Sequence, residues 1–185
     1  MRVIAGRAGG VRLVVPKQGV RPTMDRVKAA IFSSLGEMVI GARILDLFAG
    51  TGGLGIEALS RGAASAVFVE DDRHSIQTIE TNLRKAHLTG SVRQRDVFSF
   101  LKSAATLAEK FRIVFADPPY DKTTSGESFT DKLLGDQNLP AMLDPSGVFV
   151  LEKRPGEMIP DMKHWKLVRQ KAYGATEVLF LSVIE

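Results

Sequence analysis

Residues 45–59 read LDLFAGTGGLGIEAL. An apolar run stops at a glycine-rich turn, and a helical pattern opens directly after it. Gly50, Gly52 and Gly55 match G-x-G-x-x-G, the turn that joins a parallel strand to a helix in nucleotide-binding folds. Glycines let the backbone approach a ligand closely, and the helix N-terminus faces that ligand with unpaired N–H groups. Glu70 ends the next apolar run, AVFVE at 66–70. It stands ~20 residues after the turn, where a carboxylate can accept hydrogen bonds from ribose hydroxyls.

Working outward, short apolar runs alternate with amphipathic segments. The runs are 43–48, 66–70, a weak one at 91–95, RIVFAD at 112–117 and GVFVLEK at 147–153. Between them, Ile76, Ile79, Leu83 and Ala86 mark one helix face, and Phe98, Leu101, Ala105 and Ala108 another. Strand–helix alternation predicts a parallel sheet with helices on both faces. WKLVRQKAYG and TEVLFLSVIE are separated only by a short turn, which predicts an antiparallel edge. Before the core, residues 2–5 and 11–15 flank GRAGG and read as a small hairpin. Thr23 reads as an N-cap for a helix carrying Val27, Ala30, Ile31, Leu35 and Met38 and ending near Gly41. The expected fold is α/β and Rossmann-like, a mostly parallel seven-stranded sheet. Residues 1–40 form a basic extension of hairpin and helix, and residues 41–185 the catalytic domain.

The glycine pattern alone serves a dinucleotide and S-adenosylmethionine equally. Asp46 separates them. It lies four residues before Gly50 at the strand end, where it would repel a pyrophosphate and favour an ammonium beside a sulfonium.

A second motif, Asp117-Pro118-Pro119-Tyr120, follows the fourth parallel strand. That position lies at the carboxyl end of the sheet, where ligands of open α/β folds bind. An exocyclic amine of a base is flat, and its lone pair is delocalised into the ring. Acceptors aimed at its N–H groups favour localising that pair and disperse the growing positive charge. The Asp117 carboxylate and the Pro118 carbonyl are candidate acceptors. Two prolines hold them rigidly, and Tyr120 offers a ring for a planar base.

Charge is unevenly placed. The 185-residue chain has a net charge of +4, yet residues 1–43 hold eight basic and two acidic side chains. The remainder is therefore mildly acidic, and the basic segment suggests a polyanionic partner met by one face. The chain has no cysteine, which excludes disulfides and thiolate chemistry and fits a reducing, cytoplasmic setting. No apolar run approaches bilayer length, and the first residues lack the apolar core of a signal peptide. The three histidines are far apart, so no metal site is expected.

With RVIAGRAGGVRL, RPTMDRVKAAIFSSL, FVEDD, RDVFSFL, DPPYD and YGATEVLFL added to the glycine loop, the chain resembles the class I S-adenosylmethionine-dependent methyltransferases carrying an (N/D)-P-P-(Y/F) motif. Within them it is similar to the RsmD-type enzymes, which methylate N2 of a guanine in bacterial 16S ribosomal RNA. The resemblance implies that Asp46, Phe48, Gly50, Thr51 and Gly52 hold the methionine part of S-adenosylmethionine. Glu70 and Asp71 would hold the ribose. Asp96 would contact the adenine amine with the Val97 backbone beside it, although by its local pattern Asp96 reads first as a helix N-cap. Asp117 to Tyr120 would hold the guanine. Arg21, Thr23 and Arg26 would lie beside the substrate entrance, Arg26 serving alternatively as an ion-pair partner on its helix. The implied partner is 16S ribosomal RNA within the small subunit or its precursor, met by a monomer. Residues 121–129, DKTTSGESF, are expected to close over a flipped base. An NAD-type dehydrogenase leaves Asp46 and the Asp-Pro-Pro-Tyr motif unexplained. Adenine-N6 and glutamine-N5 methyltransferases share the motif type, and the basic segment favours nucleic acid over protein.

Overall fold

A computed structural model describes residues 1–15, 23–104, 109–120 and 126–184. Helix α1 spans Thr23–Leu35, and a 3-10 turn continues it over Gly36–Val39. Then follow β1 (Arg43–Leu47), α2 (Gly53–Ser60), β2 (Ser65–Glu70), α3 (Arg73–Ala86), β3 (Ser91–Gln94), α4 (Val97–Ala104) and β4 (Phe111–Ala116). The chain continues through α5 (Phe129–Gly135), a 3-10 turn at Pro140–Met142, β5 (Leu143–Lys153), β6 (Trp165–Tyr173) and β7 (Thr176–Val183).

The strands form one sheet in the order β3-β2-β1-β4-β5-β7-β6. The five strands β1 to β5 run parallel, and β7 joins antiparallel to both β5 and β6. The chain builds outward from β1 to β3 and then crosses back to β4 on the other side of β1. A topological switch point therefore lies between the carboxyl ends of β1 and β4, where such sheets leave a crevice.

Side-chain alternation sets the two faces of the sheet. Ile44, Phe68, Ile113, Phe115, Val148 and Val150 pack with residues of α1, α2 and α3. Leu45, Leu47, Val114, Ala116, Phe149 and Leu151 pack with residues of α4 and α5. The sheet is thus covered on both faces, as right-handed crossovers require.

The hairpin expected at 2–5 and 11–15 is one antiparallel bridge, Arg2 with Arg12, extended by Val3–Val11 and Leu13–Met1 backbone hydrogen bonds. It lies across α2 instead of pairing into the sheet. Val3, Ala8 and Leu13 join the core beneath α1 and α2. Fully buried Glu57 accepts from the amides of Ile4 (2.7 Å) and Ala5 (3.1 Å), from Arg61 Nε (2.7 Å), and pairs with Lys28 at 3.4 Å. Ser60 accepts from the Ala8 amide at 2.9 Å. A Cβ at Gly6 would stand 1.9 Å from the Ser60 carbonyl oxygen, so only glycine lets the segment lie this close.

Three local expectations change. Thr23 is the first helical residue of α1, not the flanking cap. Met38 falls in the 3-10 turn and is exposed, while Phe32 takes its place in the buried stripe, 5.6 Å from the Phe115 ring. Helix α5 was not foreseen. Ser128 caps it by accepting from the Asp131 amide at 3.0 Å. Arg21, Ala105, Ala108 and positions 121–125 of the expected lid lie outside the described residues.

Candidate active site

β1 carries Asp46 on the α2 face of the sheet. The turn after β1 passes through Phe48 at φ 55°, a left-handed conformation that costs about 1–3 kcal/mol in a non-glycine residue. The Phe48 ring is held by Phe129 (5.4 Å) and Phe98 (6.2 Å). The chain then enters α2 through Gly52 at φ 78°. Asp46, 2% exposed, accepts a hydrogen bond from the Gly55 amide at 2.9 Å, which places a carboxylate against the start of α2. Gly55 has to be glycine here: a Cβ would meet the Phe68 ring at 2.3 Å and the Asp46 carboxylate at 3.1 Å. The third glycine of the motif thus sets the helix–strand distance.

Glu70, at the end of β2, holds the loop rather than standing free. It accepts from the amides of Gly50 (2.8 Å), Asp71 (3.0 Å) and Asp72 (3.0 Å). Asp71 is exposed beside it. Asp96 caps α4 by accepting from the Ser99 amide at 2.8 Å, and Val97 is buried in the second face of the core.

Asp117-Pro118-Pro119-Tyr120 begins directly after β4, because Ala116 is the last residue paired with both Leu47 and Leu151. The Tyr120 hydroxyl lies 3.3 Å from Thr176 Oγ1 and 3.5 Å from the Ala175 carbonyl. The Arg154 guanidinium packs 5.3 Å from the ring centroid and donates to the Tyr120 carbonyl. The tyrosine ring is therefore gripped by the β6–β7 turn and by the segment after β5.

A cleft of about 450 Å³ opens at the switch point. It brings Asp46, Phe48, Gly50 and Thr51 together with all four residues of the Asp-Pro-Pro-Tyr turn. Glu70, Asp71, Asp96 and Val97 are not among its lining residues. They stand at the ends of β2 and β3, further along the same sheet edge. Gly52 faces inward, where a Cβ would meet Ile56 and Ile79 at 3.1–3.4 Å. Arg26 is exposed on α1 and has no ion-pair partner among the described residues.

Glu152, Lys28 and Met1 also line the cleft, and none was foreseen. The alternation of GVFVLEK could have found Glu152: Val148 and Val150 face α1, and the next inward position is the acid. Lys28 is buried by tertiary folding that no local pattern reports. Its ammonium donates to the Arg2 carbonyl at 2.6 Å, and burial holds its pKa below the ordinary value.

Three carboxyls thus share one cleft. Burial, and then the charges of Asp117 and Glu70, push Asp46 up to about 8 despite its bond from Gly55. Asp117 is exposed to solvent, yet the protein crowded around the carboxyl pushes it up to about 6. The water at the mouth moderates this push. Burial, then Asp117 and Asp46, raise Glu152 well above the usual carboxylate range. Such a cleft suits a cation and repels a pyrophosphate. Its one lysine is already engaged by Glu57 and a carbonyl. Among the described residues no cluster of histidines and acids could hold a metal ion, and no helix is long and apolar enough to cross a membrane.

The model of the family described as Conserved hypothetical protein 95 matches residues 1–182. The Bacillus subtilis (strain 168) protein YlbH is 40% identical over 182 residues, covering 96% of each chain. Ribosomal RNA small subunit methyltransferase D of Escherichia coli (strain K12) is 36% identical over 177 residues, covering 94% of this chain and 85% of that one. Among solved structures, the T. thermophilus 16S rRNA N2 G1207 methyltransferase, in complex with AdoMet and guanosine, superimposes with a TM-score of 0.68 at 26% identity. It is covered over 44% of its length, against 91% of this chain.

Proposed function

The chain belongs to the family described as Conserved hypothetical protein 95, and from that premise we propose that it transfers a methyl group from S-adenosylmethionine to the exocyclic N2 amine of a guanine in 16S ribosomal RNA. One observation carries the reading: the glycine loop with Asp46 and the Asp-Pro-Pro-Tyr turn line a single acidic cleft at the topological switch point. Relatives named for small-subunit ribosomal RNA methylation support the substrate.

The cleft residues fit the cofactor by charge. Asp46 would receive the ammonium of the methionine part, and the Gly50–Gly52 loop would lie against it. Phe48 and Thr51 wall the same end. Glu70 keeps the loop shaped through the Gly50 amide and would offer the one remaining lone pair of Oε2 to the ribose, with Asp71 beside it. Asp96, at the end of β3, would face the adenine amine with the Val97 backbone beside it, the Val97 side chain being buried in the core. S-adenosylmethionine supplies a methyl group on a positively charged sulfur. The chain supplies position and electrostatics. Asp117 and the Pro118 carbonyl accept from the two N–H groups of the guanine amine, while Pro119 stiffens the turn. Tyr120, fixed by Arg154 and Thr176, stacks on the base. The Asp117 carboxyl, pushed up to about 6 by the protein around it, opposes as carboxylate the positive charge that grows on N2 and stands where it can take the N–H proton that N2 must lose when the N-methyl bond forms.

Residues 1–40 serve as the RNA-docking part, with Arg26 exposed on α1 beside the basic hairpin. The protein acts as a cytoplasmic monomer on the small subunit or its precursor. The direct test is methyl transfer to small subunits from cells lacking this protein, followed by mass analysis of the modified nucleoside. N2-methylguanosine at one position is expected. N6-methyladenosine would replace this reading with the adenine one.

A further inference from the structure

We propose that Glu152 reads the N1 edge of the target guanine and so makes the cleft select guanine over purines that carry no proton on N1. The inference rests on the guanine reading above and goes one residue beyond it.

One step beyond the Ala116–Leu151 pair, Asp117 follows the end of β4 and Glu152 lies in the last rungs of β5, paired with Val178 of β7. By alternation both continue the α1–α2 face of the sheet, and both line the cleft. Glu152 also lines a second cavity of about 280 Å³ on the far side of the turn, together with Pro118, Pro119 and Tyr120. It therefore stands at the junction beside the proposed amine acceptors. Among the described residues its carboxyl has no hydrogen-bond or ion-pair partner. The neighbouring Lys153 lines that second cavity too, but its ammonium is already engaged by Glu177 and by the carbonyls of Arg154 and Glu157. A half-buried carboxyl without a protein partner, inside the cleft that holds the proposed amine acceptors, is free to receive a donor from the ligand.

Guanine supplies it. Next to the N2 amine lies N1–H, a donor that needs an acceptor once the base leaves water. The carboxyl beside Asp117 provides one in either protonation state. Burial and the Asp117 and Asp46 charges favour the protonated form in the free protein. That form also donates its O–H to O6, on the same edge. Adenine offers an unprotonated N1 and an amine at position 6, the opposite pattern.

The test uses 2-aminopurine, which keeps the 2-amine but lacks both N1–H and O6. The guanine that wild-type protein modifies is replaced by 2-aminopurine in ligated 16S RNA, and the subunits are reconstituted. Single-turnover rates on the two substrates are compared as a ratio, which the folded fraction of a variant does not affect. Wild type should favour guanine strongly. Glu152→Ala should lower the ratio ~10-fold or more, mostly by losing rate on guanine. Glu152→Gln keeps an acceptor beside a donor and should hold the ratio near wild type. An unchanged ratio in Glu152→Ala, or equal wild-type rates on both bases, overturns the assignment. Failure of wild type to methylate any guanine would overturn the substrate reading, and this inference with it.

Discussion

A carboxylate that accepts a hydrogen bond from an amine gains most when that nitrogen turns positive. Asp117 is therefore expected to act on turnover more than on binding. Asp117→Ala should lower single-turnover transfer by ~10²–10³ with little change in cofactor affinity. Asp117→Asn should be milder, since the amide oxygen still accepts. If folded Asp117→Ala protein transfers at a near-normal rate, the turn has only a structural role. Glu70 calls for a different expectation. Its oxygens hold the amides of Gly50, Asp71 and Asp72, and charge-assisted bonds of this kind are worth ~1.5–3 kcal/mol. Glu70→Ala should weaken cofactor binding and lower thermal stability together. Calorimetric titration and thermal unfolding on the same preparation check this; a loss of affinity at unchanged stability would mean that Glu70 touches only the ligand.

At the scale of elements, α2 is the hub. Its first turn meets the Asp46 carboxylate, and its last turns clamp the hairpin through Glu57 and Ser60. Removing one partner of a buried ion-pair network leaves the others unpaired and costs ~3–5 kcal/mol. Glu57→Ala should therefore destabilise the whole protein by that order, measured by urea unfolding, and release the hairpin. A loss below 1 kcal/mol would show the hairpin to be an independent appendage. Much of this element plan was legible in the sequence. The β1–α2 turn and the runs at 66–70, 112–117 and 147–153 lie within a residue or two of their strands at most edges, because buried parallel strands read as unbroken apolar runs. β5 extends four residues earlier, through the polar Asp144-Pro145-Ser146, where side chains give no apolar signal. The candidate site was legible where motifs are local, at Asp46 and Asp117. It was not legible at Met1, which reaches the cleft because the hairpin folds over α2, or at Lys28, which α1 carries to the cleft wall and whose ammonium meets the Arg2 carbonyl and Glu57. Asp96 shows the converse, a local capping pattern that the structure satisfies within its own helix.

For the whole molecule, the acidic cleft links ligand binding to pH. The Asp46 carboxyl rises from its ordinary 3.8 to about 8 in the folded chain. Between those values the folded state holds a proton that the unfolded state has released, so this group makes stability fall as pH rises through the window. A cationic ligand favours the carboxylate and expels that proton. Cofactor affinity should therefore climb from pH 6 to 8. Calorimetry at pH 7 in two buffers of different ionisation enthalpy should report net proton release. Binding heats that do not depend on the buffer would place the cation away from Asp46.

The hairpin clamp has a consequence for the order in which the protein matures. Ile4 and Ala5 meet Glu57 at 53 and 52 residues' separation, and Val14 meets Asn82 at 68. During synthesis the N-terminal segment emerges first, yet α2 and α3, which receive it, follow much later. Long-range closure of this kind slows folding. The wall of the cleft that contains Met1 and Lys28 is then completed in the same step that fastens the hairpin, so the nascent chain acquires its ligand site only once its first residues are locked in place.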